Sequence, residues 1–324
     1  MFKNKVIFIS PLDWGLGHAT RCVPLIRQLM ADNVVILGIT PTTALIFDEE
    51  FPNLKKVDIE PYAITYSKTL PLMLKLLLDS RRILNVIKKE KQQISKYIQE
   101  FNIDVVISDN RFGLSNSLVE CVYVTHQLNI VAGMFSEIAN KIHHNYIRQF
   151  DEIWVPDYEN NKECLAGKLS RNPALKNVKY IGPLSRLEAQ PEKTEAFDYL
   201  CLLSGPEPQR TLLEEVLVKK AENSTKKIVV VRGTKHPFKN ALPENIKLID
   251  LPNAKELSQL IKASDTIICR SGYSTLMDIK QLGKEKFILI PTPGQAEQAY
   301  LADYWKEKFQ AKIIEQNDLS EFNF

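Results

Sequence analysis

The chain lacks the features that mark secreted, membrane-spanning and nucleic-acid-binding proteins. Its five cysteines are odd in number and too widely scattered for a disulfide framework or a CxxC metal site: Cys22, Cys121, Cys164, Cys201 and Cys269. No apolar run is long enough to span a bilayer, and the first apolar strand begins so early that it leaves no room for a signal peptide. The net charge of +3 is too small to indicate a nucleic-acid partner. These absences predict a reduced, cytoplasmic environment, and they leave open a peripheral contact with the inner face of a membrane.

Apolar runs of strand length alternate with stretches of helical length along the whole chain. The strand candidates are KVIFIS, NVVILGI, DVVISD, CVYVTH and EIWVPD in the first half, and YLCLLS, KIVVVRG, IKLIDL, DTIICR and KFILIP in the second. Helical candidates between them include residues 24–30, 70–100 and 208–222. Because the strands are apolar throughout rather than alternating, they predict parallel sheets covered on both faces. The alternation of strands and helices predicts repeated βαβ units and an α/β fold.

The strand–helix pattern restarts after a polar stretch that contains Pro183 and Pro191. With 324 residues, of which 44% are hydrophobic, the chain is long enough for two domains that each bury a core. We therefore predict two Rossmann-like, doubly wound domains, residues 1–184 and residues 185–324. Ligands of doubly wound sheets bind at the carboxyl ends of the strands. The expected site is a cleft that the two domains face.

The segment SPLDWGLGHATR, residues 10–21, joins the first strand to a helix. It contains Gly15 and Gly17, but Thr20 stands at the third glycine position of the dinucleotide fingerprint, and the second strand ends without the acid that binds the ribose. Two interpretations stay open. Either the segment is a plain strand–helix turn in which His18 caps or packs, or it presents His18 as a general base.

Asp109 closes the strand DVVISD, whose carboxyl end is expected on the same side of the sheet as residues 10–21. A carboxylate in that position would accept from one imidazole nitrogen of His18, fix its tautomer and stabilise the imidazolium ion. We predict a catalytic His18–Asp109 pair. A role for Asp109 as a helix N-cap or turn residue is equally open.

The segment CRSGYSTLMDI, residues 269–279, follows a strand and opens a helix in the second half. Ser271, Gly272 and the residues after them would expose backbone N–H groups and hydroxyls at the positive end of that helix. Such an arrangement predicts an anion site. Asp278 lies about one turn further on and could reach a ribose diol.

Five segments together resemble glycosyltransferases of the GT-B fold. They are GLGHATR, THQLNIVAGMFSEIANK, YIGPLSR, LPNAKELSQLIKASDTIICRSGYSTLMDI and PTPGQAEQAYLAD, which span nearly the whole chain in the order seen in these enzymes. The resemblance is closest to glycosyltransferase family 28, which includes the lipid II-forming N-acetylglucosaminyltransferase of peptidoglycan synthesis. It implies the GT-B architecture of two Rossmann-like domains, with the nucleotide sugar bound by the second.

The resemblance implies a role for each matching residue. On the acceptor side, His18 would deprotonate or orient the acceptor hydroxyl, near Gly15, Gly17, His126 and Gln127. The donor diphosphate would be held by Arg186, Ser204, Gly272, Tyr273, Ser274 and Thr275. The remaining donor contacts would be Asp278 to the ribose, the backbone around Ile249 to the base, and Glu297 and Gln298 to the sugar. Asp278 stands where the family usually has a glutamate, and Glu297 replaces an amide.

The implied reaction is an inverting transfer of a hexosyl unit from a nucleotide sugar, typically UDP-linked, to a hydroxyl of a lipid-linked or glycan acceptor. Such enzymes need no bound metal or other cofactor. The chain has no DxD motif, and the adjacent His143 and His144 lack metal-ligand spacing and are typical of a polar helix surface. Two alternatives stay open: a sugar-nucleotide hydrolase of the same fold, in which His18 positions water, and a nucleotide-sugar-binding protein without catalysis.

Residues 69–91, TLPLMLKLLLDSRRILNVIKKEK, combine a dense apolar run with six basic residues. Such a segment suits contact with an anionic membrane, which an enzyme acting on a lipid-linked acceptor would need. The alternative is a crossover helix that packs against the sheet and has a solvated basic end.

Overall fold

Each half of the chain forms one all-parallel sheet. The computed structural model describes residues 2–63, 78–189, 195–205, 207–238 and 242–324. The first sheet contains seven strands: β1 (Val6–Pro11), β2 (Val34–Ile39), β3 (Lys55–Asp58), β4 (Val105–Asp109), β5 (Glu120–Val124), β6 (Glu152–Val155) and β7 (Val178–Tyr180). The second contains six: β8 (Phe197–Leu202), β9 (Ile228–Val231), β10 (Ile246–Ile249), β11 (Ser264–Cys269), β12 (Phe287–Leu289) and β13 (Lys312–Ile313).

The strand orders are those of doubly wound sheets. The first sheet runs β3-β2-β1-β4-β5-β6-β7 and the second β10-β9-β8-β11-β12-β13, so the order reverses beside β1 and beside β8. The described α-helices are α1 (Gly17–Leu29), α2 (Pro41–Glu50), α3 (Ser80–Phe101), α4 (Ser136–Ile147), α5 (Gln209–Ala221), α6 (Ala254–Ala263), α7 (Tyr273–Gln281) and α8 (Ala296–Phe309). The prediction of an α/β fold with two doubly wound parallel sheets is confirmed.

Alternate side chains of β1 pack into two different cores, one on each face of the first sheet. Ile7 and Ile9 of β1 lie in one core together with Val23 and other residues of α1. Phe8, between them in the sequence, lies in the core on the opposite face with Ile94 of α3. This two-residue alternation is the reason that β1 is apolar throughout, since neither of its faces meets water.

The second sheet has its own core. Cys201 of β8, Leu213 of α5 and Ile268 of β11 belong to it, and Leu319 and Phe322 near the end of the chain pack against the same residues. By its contacts the chain divides into two compact units, one that ends at Leu184 and one that takes up the chain again at Ser185. All five cysteines are buried and free.

Strand register determines which loops are neighbours. Asp109 of β4 pairs with Pro11 of β1 on one side and with Val124 of β5 on the other. In the second sheet Cys269 of β11 pairs with Leu202 of β8 and Leu289 of β12. The loops that follow these strands therefore lie side by side at the carboxyl edge of each sheet, where doubly wound sheets bind ligands.

Helix α3 contains most of the described part of the apolar and basic segment, since residues 64–77 lie outside the described ranges. Val86, Ile87, Ile94 and Ile98 are buried against the first unit. Arg81 and Lys88 lie on its exposed side with Leu84, which is 54% exposed. The packing is that of a crossover helix with a solvated basic face. No helix in the described ranges combines the length and apolarity that crossing a membrane requires.

Candidate functional site

The loop after β1 turns sharply into α1. Gly15 has a φ of +79°, in the left-handed region that side-chain-bearing residues avoid, and this lets the chain reverse before the helix begins at Gly17. His18 therefore occupies the first turn of α1 at the carboxyl edge of the first sheet. Its side chain is 16% exposed, so it is accessible to a substrate although the surrounding residues are packed.

His18 and Asp109 are in direct contact. Nδ1 of His18 lies 2.7 Å from Oδ1 of Asp109, whose side chain is completely buried. Arg21, one turn further along α1, donates through Nε to Oδ2 of Asp109 at 2.5 Å and through Nη2 to Oδ1. The bidentate contact, together with a weak hydrogen bond from the Cys22 thiol to Oδ2 at 3.3 Å, occupies both carboxylate oxygens. Asp109 thus bonds to side chains of α1 and does not cap a helix.

The charges in this cluster determine its protonation state. Burial alone would raise the pKa of Asp109, but the positive charge of Arg21 and the contact with His18 outweigh it and hold that pKa well below the usual range. Because ionised Asp109 only accepts hydrogen bonds, the imidazole proton of His18 belongs on Nδ1. Burial, reinforced by the charge of Arg21, lowers the pKa of His18 below 6.5 despite the nearby carboxylate.

The consequence is a neutral imidazole at pH 7 with its Nε2 lone pair available. The structure records no hydrogen bond between Nε2 and a described residue. A neutral imidazole in a fixed tautomer, backed by a carboxylate, is the arrangement that accepts a proton from a hydroxyl or a water.

The segment after β5 reaches the same cluster. Nδ1 of His126 accepts from Nη1 of Arg21 at 3.2 Å, so Arg21 connects His126 with Asp109. The main-chain carbonyl of Gln127 is 2.8 Å from Nε2 of His143, and that of Leu128 is 2.8 Å from Nε2 of His144. Both histidines on α4 therefore hold the predicted acceptor segment through its backbone.

The expectation of a polar helix surface at His143 and His144 is wrong for His143. This residue is 4% exposed, and its ring packs edge-on against Phe112 and Tyr123. Burial lowers the pKa of His143 to about 4, so its imidazole is neutral near pH 7. The error arises because α4 turns this side chain toward the first sheet, which adjacent histidines alone cannot indicate.

A second buried network holds the loop after β1 in place. No motif in the sequence indicated this network. Arg111, completely buried, donates to Glu90 of α3 at 2.6 Å and to the carbonyl of Pro11 at 3.2 Å. Glu90 also accepts from the hydroxyl of Tyr62 at 2.8 Å, and Asp13 accepts from the backbone N–H of Tyr62 at 3.1 Å. These contacts connect the end of β1 to α3 and to the segment after β3.

In the second unit, the predicted anion site lies at the start of α7. Gly272 is the N-cap residue and provides no side chain to cap the N–H groups of the first turn. Tyr273 is buried, whereas Ser274 and Thr275 are partly exposed. Ser271 faces away from this helix end, because its hydroxyl donates to the carbonyl of Gln298 at 2.7 Å. Helix N–H groups without a capping side chain can bind an anion.

Arg186 and Asp278 are brought together by the segment that opens the second unit. The Ser185 hydroxyl donates to Oδ1 of Asp278, and Leu187 donates its backbone N–H to the Ser185 oxygen at 3.1 Å. Burial raises the pKa of Asp278 to about 6, against the effects of the Ser185 hydrogen bond and of the Arg186 charge. Asp278 therefore already has one protein partner, Ser185, which no sequence motif indicated.

The other predicted donor residues lie in the loops around these two. Ser204 is partly exposed after β8, and the carbonyl of Ile249, at the end of the edge strand β10, accepts from Arg232 N–H at 2.8 Å. Gln298 uses its side-chain oxygen to accept from the backbone N–H of Thr292 at 2.9 Å, so that oxygen is engaged in holding the loop after β12. Glu297 is in the first turn of α8.

The described residues include no group of three or more His, Cys, Asp and Glu side chains arranged to hold a metal ion. Metal and cofactor requirements stay predictions. The same holds for the individual roles that the resemblance assigns to His18, Asp109 and the donor residues.

Known proteins resemble both the sequence and the fold. Residues 199–323 match the C-terminal domain of glycosyltransferase family 28. An uncharacterized glycosyltransferase of Methanosarcina acetivorans is 22% identical and aligns with 93% of this chain and 83% of its own. The UDP-N-acetylglucosamine–N-acetylmuramyl-(pentapeptide) pyrophosphoryl-undecaprenol N-acetylglucosamine transferase of Haemophilus influenzae is 25% identical over 70% of this chain and 64% of its own.

A solved structure agrees with the architecture. The spinosyn rhamnosyltransferase SpnG complexed with thymidine diphosphate aligns with 97% of this chain and 88% of its own, with a TM-score of 0.65 and 14% sequence identity. At this identity the likeness concerns the fold, and it agrees with the two doubly wound sheets. The match at residues 199–323 and the sequence relatives make the chain similar to glycosyltransferases of family 28, and the solved structure supports the GT-B fold.

Proposed function

We propose that the chain is an inverting hexosyltransferase that transfers a sugar from a nucleotide donor, UDP-linked, to a hydroxyl of a lipid-linked or glycan acceptor. The observation that carries this proposal is the anchoring of His18 Nδ1 by Asp109, which leaves Nε2 as the basic nitrogen. In the proposed step, Nε2 takes the acceptor hydroxyl proton while the acceptor oxygen bonds to C1 of the sugar. The bond between C1 and the diphosphate oxygen breaks, and the nucleoside diphosphate leaves with the electron pair.

The cluster around His18 suits this step energetically. The imidazole becomes a cation when it takes the proton, and the ionised Asp109 beside it stabilises that cation. Arg21 keeps Asp109 ionised even though the carboxylate is completely buried. In a simple strand–helix turn, a buried carboxylate shared between an arginine and a partly exposed histidine would have no evident purpose.

The features of the second unit support a nucleoside diphosphate as the leaving group. The start of α7 offers main-chain N–H groups, and Arg186 lies within electrostatic range of Asp278 on the same helix. Positive groups of this kind stabilise the charge that develops on a departing diphosphate. The name of the Haemophilus influenzae relative specifies a UDP-sugar donor and a lipid-linked acceptor, which supports the same choice for this chain.

The decisive experiment measures nucleoside diphosphate release from a panel of UDP-, dTDP- and GDP-sugars, with and without lipid extract. The proposal predicts release from UDP-sugars only when acceptor is present, and a loss of about 10²–10⁴-fold in His18→Ala. The control variant His236→Ala changes an exposed histidine of the second unit and should keep full activity. Release of free sugar without acceptor would instead establish a hydrolase, in which His18 positions water.

The stereochemistry gives an independent test. Direct attack by the acceptor oxygen inverts C1, so an α-linked donor should give a β-linked product. The anomeric proton coupling of the product, measured by NMR, decides between inversion and retention. A retained configuration would contradict the single displacement that we propose.

We also propose that the exposed basic face of α3 contacts anionic lipid. Arg81 and Lys88 lie seven residues apart, about two helical turns, with the exposed Leu84 between them. Co-sedimentation with vesicles containing phosphatidylglycerol should be strong at low salt, weaken at high salt, and fall in the double variant Arg81→Glu/Lys88→Glu. Lys96→Glu, further along the same helix at a site 75% exposed, is the matched control. Absence of binding at low salt would contradict the proposal.

A further inference from the structure

Arg270 differs from the other buried arginines of the described chain in having no carboxylate partner. Arg21 pairs with Asp109 and Arg111 with Glu90, each at hydrogen-bond distance. Arg210 and Arg232 share Glu214, and Arg186 lies within electrostatic range of Asp278. Arg270 is 1% exposed, and its described contacts are all to uncharged groups.

The contacts of Arg270 are to carbonyl oxygens and one amide. Nη1 donates to the carbonyls of Ile290 and Pro291, both at 3.2 Å. Nη2 donates to the carbonyl of Gln209 at 3.0 Å and to the side-chain oxygen of Gln316 at 2.6 Å. Nε has no hydrogen-bond partner among the residues that the structure describes. These partners position the guanidinium group, but none of them neutralises its charge.

A buried positive charge without a counterion is costly, so its position is informative. Arg270 directly follows β11, and Gly272, the N-cap of α7, is two residues away, within about 7 Å along the chain. The guanidinium group of Arg270 donates to the carbonyl of Gln209, which is the first residue of α5. The guanidinium thus lies at the start of α5, while the backbone of Arg270 leads directly into the start of α7, and neither helix has an acidic residue in its first turn.

The acidic residue that precedes α5 has its own partner. Glu207 precedes α5, and its carboxylate accepts from Arg210 Nε at 2.7 Å and from the backbone N–H of Thr211 at 3.3 Å. The pKa of Glu207 is accordingly lowered, although its burial opposes this effect. Burial lowers the pKa of Arg270 to about 10, with no compensating charge. The counterion of Arg270 is therefore absent from the described protein.

We propose that Arg270 is an electrostatic positioning residue of the donor site, whose charge is balanced by the diphosphate of the bound nucleotide. This inference rests on the proposed function, because it assumes that the start of α7 binds that diphosphate. Arg270 does not touch the ligand in this proposal. It acts through its field and through the loops that it fixes after β11 and β12, so its effect should grow with the negative charge of the ligand.

The test compares the affinities of uridine, UMP and UDP by isothermal titration calorimetry. A unit charge acting across about 10 Å at an effective dielectric constant of about 20 changes an affinity roughly tenfold. Arg270→Gln should therefore weaken UDP by about tenfold or more, UMP less, and uridine by under about threefold. Arg270→Lys retains the charge and should keep most of the preference for UDP over uridine, even where it lowers the melting temperature.

Gln316→Ala is the matched structural control. It removes the 2.6 Å hydrogen bond to Arg270 without changing the charge, so it should lower stability while the ratio of UDP to uridine affinity stays that of the wild type. If Arg270→Gln weakens all three ligands equally, Arg270 has only a structural role and the inference is wrong. If the wild-type protein binds UDP no better than uridine, the proposed donor site itself is wrong.

Discussion

Replacing Asp109 by asparagine should damage stability and activity for different reasons, and a second substitution separates the two. Asp109 is completely buried, and Arg21 is 2% exposed. Asp109→Asn leaves the Arg21 charge buried without a counterion, and losing one partner of a buried ion pair costs about 3–5 kcal/mol. For a unit of this size, about 2–4 °C per kcal/mol gives a fall of about 6–20 °C in melting temperature.

The catalytic effect has another origin. The asparagine amide can donate to Nδ1 of His18, which places the imidazole proton on Nε2 and removes the base. It also removes the negative charge that stabilises the imidazolium ion. We expect kcat/KM to fall by about 10²–10⁴-fold, measured well below the melting temperature.

The double variant Arg21→Met/Asp109→Asn removes both charges. Replacing a whole buried ion pair is often close to neutral, so we expect calorimetry to show a melting temperature near that of the wild type. Activity should stay as low as in Asp109→Asn, because neither the tautomer nor the charge is restored. Recovery of activity together with stability would refute the reasoning and leave Asp109 a purely structural role.

The Arg111–Glu90 pair provides the matched control for this cycle. Like Arg21 and Asp109, both side chains are completely or almost completely buried, and they lie in the same unit. Glu90→Gln should therefore lower the melting temperature comparably, whereas kcat/KM should change only a few-fold. A loss as large as that of Asp109→Asn would mean that any damage to this unit abolishes activity.

Three further outcomes follow from the described contacts. The lowered pKa of His18 predicts that kcat/KM falls as pH drops through a midpoint below 6.5, because the protonated imidazole cannot act as a base; a midpoint above 6.5 would contradict this. His143 stays neutral in the fold down to about pH 4, so stability should fall by up to about 3 kcal/mol between pH 6.5 and 4 as the unfolded chain takes up the proton. Denaturant titrations of His143→Gln should show a smaller fall. Gly113→Ala places a Cβ 2.5 Å from Glu90 and from the Ile87 carbonyl, which should cost about 1–3 kcal/mol; an unchanged denaturation midpoint would refute that estimate.

The sequence predicted the interior strands and missed most of the edges. Every strand that lacked a predicted counterpart, namely β3, β7 and β13, lies at the edge of its sheet. Their sequences, KKVD, VKY and KI, are short and contain lysine, because an edge strand is only partly covered and charge there discourages pairing with other chains. Continuous apolar runs indicate burial on both faces, so they reveal the interior strands and overlook these three short edge strands.

The contacts in the candidate site also divide into those that the sequence could predict and those that it could not. The proximity of His18 and Asp109 could be predicted because both follow neighbouring parallel strands, and parallel strands bring their carboxyl ends to one edge. Arg21 is three residues after His18 on a helix, a spacing that places both on one face and that could have indicated its role. The Ser185–Asp278 hydrogen bond and the burial of His143 depend on which face of a helix packs inward. On α4 the apolar Ile138 and Ile142 are exposed, so the spacing of apolar residues does not indicate that His143 packs inward.

The buried arginines of the described chain share one feature, a nearby carboxylate, and Arg270 is the exception. Loops at the carboxyl ends of strands expose main-chain carbonyls, and a guanidinium group can bind several of them at once, as Arg111 and Arg270 do. Where the role is only structural, the protein can add a carboxylate and remove the cost of the charge, as Glu90 does for Arg111. A guanidinium without a carboxylate partner keeps its charge available to a substrate anion, which is the role that we propose for Arg270. Arg21, by contrast, contacts Asp109, and its charge keeps that carboxylate ionised.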